Sequence, residues 1–579
     1  MNMDFVRYEK MGRFNLVEEP WISVFDNENG EKKDVSLLDV FENSRNYRCL
    51  AGEMETQNFA VMRMLLAIVQ TVFSRFDLNG NCLPGVSVDD RYIQTEQVDA
   101  KHRGKYAEAA EDNWFKLYSD RAFPKIVSEY LQSWKDRFFL FDSEHPFYQV
   151  NKAEMDEIIS KIPKKSQPAT IYGKNLNRTI SESENKRALF SPMAGTESGK
   201  RTTKDIMTCA ELARWLLTFQ GYSGLADKVS LVSKDQTTSK GWLFDLGGIY
   251  LKGNDLYETL ILNYIPVVFR DGFVGRVQKP CWETSGSLIV NKLCNGLPID
   301  NFSELYTNWS RAVYIDPDSD MSRPAEIYVV KLPDIIHTED SIEPMTIWRY
   351  NDSGPNKGKY TPRKHKAEQS LWRSFGAIAM PSTMPGAENY MRPRIFDQYE
   401  LLVQAGGSRW TNIMGVSMAD DGNATSWLPV DEVCDSFQIN DVVLTDKDSG
   451  GWLTRINDTV ETTKKVISST YKSFLKGICE IRNVKDKAAD GFVGEELAEV
   501  YDEIDFDFKS WLASIEPNES KDNKILMWKG HLKKVLLNRA EELFENSSGR
   551  DIMGIVKDDK VDNIAIQYLR FVHIINKYL

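Results

Sequence analysis

The sequence predicts an α+β fold, with a large irregular mixed α/β N-terminal domain over residues 1–435 and a four-helix bundle over residues 436–579. Three observations point there. Apolar residues recur every three or four positions in four successive C-terminal runs, as in helices that each bury one face. Before them, helical runs alternate with short β-rich ones punctuated by Pro and Gly. At 579 residues the chain is also too long for a single core.

Composition narrows the function. Hydrophobic residues at 42% and charged residues at 27% are those of an ordinary soluble globular protein. A formal net charge of -13 excludes a free-standing protein that grips nucleic acid by bulk charge. Any such contact must come from local basic loops, inside an assembly whose other subunits supply the positive field. Residues 1–10 lack an apolar run, and the most apolar stretches, 60–73 and 260–269, are interrupted by Arg63 and Asn263 or too short to cross a bilayer. A cytoplasmic protein without membrane contact is expected. Seven scattered cysteines with no Cys-x-x-Cys pair predict reduced thiols and neither zinc nor any other cofactor.

In chain order, apolar residues at 14–25 and 35–38 flank the turn 26–30, which ends in Asn29-Gly30, and predict a β-hairpin. Residues 56–73 form an apolar helix with Phe59, Met62, Leu65, Leu66, Val69 and Phe73 on its buried face. His145, beside Glu144 and before Pro146, reads as a structural turn, since no nucleophile or metal partner stands near it. The polar stretch 161–204 has no hydrophobic period and reads as a long mobile loop that orders on a partner. Within it, Gly195 to Arg201 imitates a phosphate-binding loop, but the glycines are too close and Arg201 stands where a Ser or Thr would bind Mg²⁺. Phe190, among lysines and arginines, suits either stacking on an unpaired base or anchoring the loop.

Leu212, Trp215, Leu216 and Phe219 mark a helix over 209–220, which Gly221 breaks. Gly221-Tyr222-Ser223-Gly224 then has two readings: a C-cap, or a loop whose backbone amides approach a phosphate or base edge. Residues 357–373 carry an excess of cations, including Lys357, Lys359, Arg363, Lys364 and Lys366, on a solvated hairpin that could also touch phosphates. Apolar positions 452, 456, 460, 467, 471, 474 and 478 open the C-terminal helices, and Ser548-Gly549 reads as the stop of the third.

The opening Asn15-Leu16 with Pro20-Trp21-Ile22, the His145-Pro146-Phe147 turn, the long loop, the glycine-containing stretch and the terminal helices occur in the order found in the CasA family, and the chain resembles it. These are the large subunits of type I-E CRISPR Cascade complexes. The resemblance implies a non-catalytic subunit of an RNA-guided DNA surveillance complex, with other Cascade subunits, a CRISPR guide RNA, double-stranded target DNA and a helicase-nuclease as partners. It places Gly221, Tyr222, Ser223 and Gly224 against the minor groove of the protospacer-adjacent motif (PAM), with Lys331 as the PAM-proximal lysine. Phe190 would meet the 5′ handle of the guide; the charge excess at Lys357, Lys359, Arg363, Lys364 and Lys366 adds a contact with the DNA backbone to that expectation. Asn423, Ala424 and Thr425 would form the tip of a wedge hairpin that opens the duplex, where the family carries a glutamine. Two other classes compete: a scaffold subunit in which the glycine stretch only packs, and a hydrolase using His145 with Glu144 or Asp142.

Overall fold

β1 (Ile22–Asp26) and β2 (Lys32–Val35) pair antiparallel with Ile22 opposite Val35, and Gly30 takes the positive φ that closes the turn between them. The apolar run at 35–38 is not all strand, because Ser36 caps α1 (Leu37–Asn43) through the Asp39 amide. β3 (Tyr47–Leu50) completes the sheet on the far side of β1. Trp21 is fully buried beneath it, its indole N–H donating to the Leu16 carbonyl at 2.9 Å.

The structure, a computed structural model, describes residues 14–162, 168–172, 207–225, 229–233, 236–266, 274–319, 325–335, 343–406, 410–422, 427–557 and 559–579. Most of the predicted loop at 161–204, with Phe190 and the phosphate-loop imitation, lies outside the described residues, as do Asn423, Ala424 and Thr425.

The chain divides into two compact units. The first comprises Met1–His365, Pro393–Tyr399 and Met414–Cys434, and the second Lys366–Arg392, Glu400–Ile413 and Asp435–Leu579. The second unit thus takes up two segments from before residue 435.

In the first unit, α2 (Glu55–Phe73) is buried around its whole circumference rather than on one face, which makes it the central element. Its N-cap residue, Met54, supplies no side-chain cap. The first-turn donors are taken instead by the Glu432 carboxylate, which accepts from the Glu55 and Thr56 amides at 3.3 and 2.9 Å, a charge well placed at a helix N-terminus. Arg63, on this helix, forms a bidentate pair with Glu343 at 2.8 Å for both contacts, and Arg75 pairs with Glu283 at 2.8 Å. The unit also holds β4 (Ala169–Ile171), β5 (Gly247–Lys252), β6 (Arg311–Ile315) and β7 (Ile327–Lys331). β4, β7 and β6 form one antiparallel sheet in that order. β8 (Trp348–Tyr350) and β9 (Tyr360–Pro362) form a hairpin.

Further on come the two-residue β10 (Tyr390–Met391), then β11 (Trp410–Asp420) and β12 (Pro429–Asn440). These last two make one long hairpin that continues into a sheet with β5.

The second unit is dominated by four helical stretches. The first runs from Trp452–Lys465 through a wider-wound turn, Val466–Tyr471, into Lys472–Arg482. The others are Asp486–Ala513, Lys521–Glu545 and Ile564–Tyr578. Every apolar position expected on the first stretch, 452 through 478, is buried. Phe508 stacks on Trp372 at 4.0 Å and meets Trp528 edge-on at 4.8 Å, while Trp528 donates to the Thr463 hydroxyl at 2.9 Å. Ser548 and Gly549 do not end the third helix, which stops at Glu545. They start a new turn, Gly549–Met553, in which Ser548 and Asp551 cap one another reciprocally. No helix among the described residues is long and apolar enough to cross a membrane.

Candidate nucleic-acid interface

The Cys209–Tyr222 helix begins with a capping box between Thr208 and Glu211 and ends two residues later than its glycine suggested. Gly221 lies in the last turn rather than after it, and a Cβ there would stand 2.8 Å from the Leu243 side chain. Gly241, at φ +85°, packs against the Gly221 carbonyl from the other side. The two glycines thus let the helix end and the 239–246 segment touch backbone to backbone.

The next two residues are sealed as well. Tyr222 is 1% exposed, and burial raises its hydroxyl pKa far above the ordinary value. Ser223 is buried with its hydroxyl 3.0 Å from that of Ser310. Gln220 explains why: its side-chain amide acts as a strand partner to β6. Its oxygen accepts from the Ser310 and Arg311 amides at 2.9 and 3.0 Å, and its nitrogen donates to the Arg311 carbonyl at 3.0 Å. Gly221, Tyr222 and Ser223, expected against a DNA groove, are thus buried, because a chain docked onto β6 in this way covers them. Gly224 is half-buried and Leu225 likewise.

Lys331, expected beside the PAM, is buried as well. It is 8% exposed, and its ammonium donates to the Leu225 carbonyl at 3.0 Å. Directly opposite it in the β6–β7 register stands Arg311, fully buried, which donates to the carbonyls of Gly224, Ser239 and Ser310. Two cations facing each other on neighbouring strands repel, and the ring of carbonyls offsets that. The Gly224 carbonyl is drawn towards Arg311, so the planar trans peptide turns the Leu225 N–H away from the guanidinium.

Gly224 meets the β11–β12 hairpin. A Cβ on it would fall far inside van der Waals contact with the Trp427 carbonyl oxygen and 3.3 Å from Pro429 Cδ. Two segments predicted separately, the glycine stretch and the wedge hairpin, are thus in contact at the hairpin's root. Trp427 itself has φ +43°, a left-handed conformation that a bulky residue rarely takes.

A mixed-charge cluster surrounds that root. Lys364 Nζ pairs with Asp420 at 2.9 Å at the end of β11 and sits 3.9 Å from the centre of the Phe244 ring. Burial holds Lys364 below the usual lysine range. Burial also pushes Asp420 up, but the Lys364 hydrogen bond and charge outweigh it and hold that carboxyl below its ordinary value. Lys240 pairs with Asp245 at 2.7 Å and lies 4.8 Å from the Trp427 ring centre. Nearby Asp334 is pushed up to about 7, first by burial and then by the charge of Asp245. Lys364 is therefore committed to an internal pair rather than free for phosphate.

Of the other predicted cations, Lys357 and Lys359 are exposed at the tip of the β8–β9 hairpin, where Gly354 and Gly358 supply the positive φ angles of the turn. Arg363 is half-buried, its amide bonded to the Ile347 carbonyl at 2.9 Å, and Lys366 is exposed in the second unit. His145 sits in a turn made by Asp142, whose carboxylate accepts from the Glu144 and His145 amides at 2.8 Å each. Among the described residues no group of three or more His, Cys, Asp or Glu side chains is placed to hold a metal ion. Sequence reasoning missed Arg311, Lys240, Asp420, Trp427 and Glu432, which carry no motif and matter only through distant partners.

Comparison with known proteins gives a consistent result. A family model described as CRISPR-associated protein Cse1 matches residues 15–538. The curated CasA/Cse1 protein of Thermus thermophilus is 25% identical over 393 residues, 65% of this chain. The chain spans 63% of the length of that relative. Among solved structures, Thermobifida fusca Cse1 is similar with a TM-score of 0.72 at 21% identity, covering 98% of both chains. A structure of Thermus thermophilus CasA gives 0.67 at 16% identity, covering 98% of this chain and 100% of that one. A chain of a CRISPR RNA-guided surveillance complex gives 0.65 at 14% identity, covering 97% and 99%. These structures share the mixed α+β fold.

Proposed function

The chain belongs to the Cse1 family of CRISPR-associated proteins, and from that premise we propose that it is a non-catalytic subunit of an RNA-guided DNA surveillance complex, working with companion subunits and a guide RNA. In this reading it inspects the PAM from the minor-groove side and helps open the duplex so that the guide can pair. It then recruits a helicase-nuclease. The observation that carries the reading is the contact between Gly224 and the root of the β11–β12 hairpin. A groove-facing edge and a strand-parting element need to act at adjacent base steps, and this contact joins them.

The DNA-facing part of the glycine stretch is reduced to Gly224 and Leu225, with Arg311 and Lys331 holding their carbonyls from behind. Lys357 and Lys359 are the backbone contacts, as exposed cations on the turn between β8 and β9. The assignments of Phe190 to the guide handle and of Asn423, Ala424 and Thr425 to the wedge tip rest on the sequence alone. The burial of Gly221 through Ser223 favours a second reading for those three residues, that of a packing joint in a scaffold.

The pair Lys357→Ala with Lys359→Ala tests the backbone role in the assembled complex. Affinity for duplex targets is expected to fall alike on every sequence, and the slope of log affinity against log salt to flatten by roughly 2. A loss confined to one PAM, or an unchanged salt slope, would contradict the assignment.

A further inference from the structure

Resting on the reading of β11–β12 as the element that parts the duplex, we propose that Lys364 and Lys240 are positioning residues that fix the root of this hairpin, so that duplex opening depends on them although neither touches DNA. The root is held at both strands. On β11, Asp420 is tied to Lys364 at 2.9 Å, and its other carboxylate oxygen accepts from the Gly422 amide at 3.0 Å. Across the hairpin, the Asp421 amide donates to the Leu428 carbonyl at 3.0 Å and the Asp421 carboxylate accepts from the Leu428 amide at 3.2 Å.

On the β12 side, the Trp427 indole lies under the Lys240 ammonium, which Asp245 anchors in turn, and the Trp427 carbonyl rests on Gly224. Further along β12, Glu432 ties the strand to the first amides of α2, the long buried helix of this unit. Phe244 joins the two braces, since Lys364 and Lys240 lie 3.9 and 5.7 Å from its ring centre. A hairpin that must push between stacked bases works only if its base does not yield, and half-buried ion pairs packed on an aromatic ring hold position better than exposed ones.

The test uses the complete guide-loaded complex and compares a fully paired target with the same target pre-melted over the first guide-proximal base pairs. Lys364→Met is expected to slow R-loop formation on the paired target roughly tenfold and to leave the pre-melted target within about twofold. Lys364→Arg, which keeps the charge, should stay near the unmodified rate on both. Equal slowing on both targets would make Lys364 a general docking or folding residue and overturn the proposal, as would no slowing on either. Replacing Asn423, Ala424 and Thr425 together by glycine separates the layers. If that variant opens the paired target normally, the hairpin reading fails and the brace with it. If it is slow while Lys364→Met is not, only the brace fails.

Discussion

Gly224→Ala is expected to cripple target capture by the assembled complex, by roughly tenfold or more, while Gly221→Ala leaves capture nearly intact. The contrast follows from what each new methyl group meets. At Gly221 it meets the end of the Leu243 side chain at 2.8 Å, and a leucine can change rotamer. The expected cost is an overpacking penalty of about 1–3 kcal/mol, visible as a lower melting temperature. At Gly224 it meets the carbonyl oxygen of Trp427, part of a backbone already held in a left-handed conformation. That oxygen cannot rotate away, so either the loop or the hairpin root must move by roughly an ångström. Capture by fluorescence anisotropy on a cognate duplex, with thermal melts of both variants alongside, reads the two effects separately. Equal losses of capture would mean that the contact at the hairpin root has no special role.

The second large effect concerns stability. Glu343→Ala is expected to destabilise the protein by about 3–5 kcal/mol. It strands the Arg63 guanidinium, 1% exposed, without its bidentate partner. It also removes the acceptor of the Trp242 indole N–H at 2.7 Å and of the Met345 amide at 3.0 Å. The melting temperature of the purified chain should drop by roughly 5 °C. The double change Arg63→Met with Glu343→Leu should recover part of that loss, because an apolar pair of similar volume replaces a buried ion pair at little cost. It should not recover all of it, since the Met345 amide still loses its Glu343 acceptor. A drop of less than about 2 °C for Glu343→Ala would show that water reaches the site.

What the sequence reveals and conceals has a physical pattern. Periodicity located the C-terminal helices because each buries one face, and the alternation of spacings three and four survives in the burial of Trp452, Ile456, Val460 and Ile467. The same signal locates the true end of the Cys209–Tyr222 helix. Leu212, Trp215, Phe219 and Tyr222 keep the stripe running through Gly221, so the helix continues past a glycine that locally looks like its end. Ser548 and Gly549 are ambiguous for a related reason, since a serine before a helix and a glycine after one are both common and only the Asp551 side chain tells them apart.

Buried cations were the hardest to see. Arg311, Lys331 and Lys364 look in the sequence like surface charges. Their partners, the carbonyls of Gly224 and Leu225 and the carboxylate of Asp420, come from segments 56 to 106 residues away in sequence. Long-range pairings of this kind leave no local trace. The contact of Gly224 with Trp427 is of the same sort: Gly224 stands in a glycine stretch legible in the sequence, while Trp427 carries no local signal.

The most direct test of the account is reconstitution: the purified chain mixed with guide RNA and the companion surveillance subunits, followed by measurement of assembly stoichiometry and of capture of a matched duplex. The account predicts that the chain joins at a fixed ratio and that matched-duplex capture requires it, while a pre-melted target is captured far better than a paired one when the chain is left out. Capture of paired targets at full rate without the chain, or failure of the chain to join the complex, would contradict it.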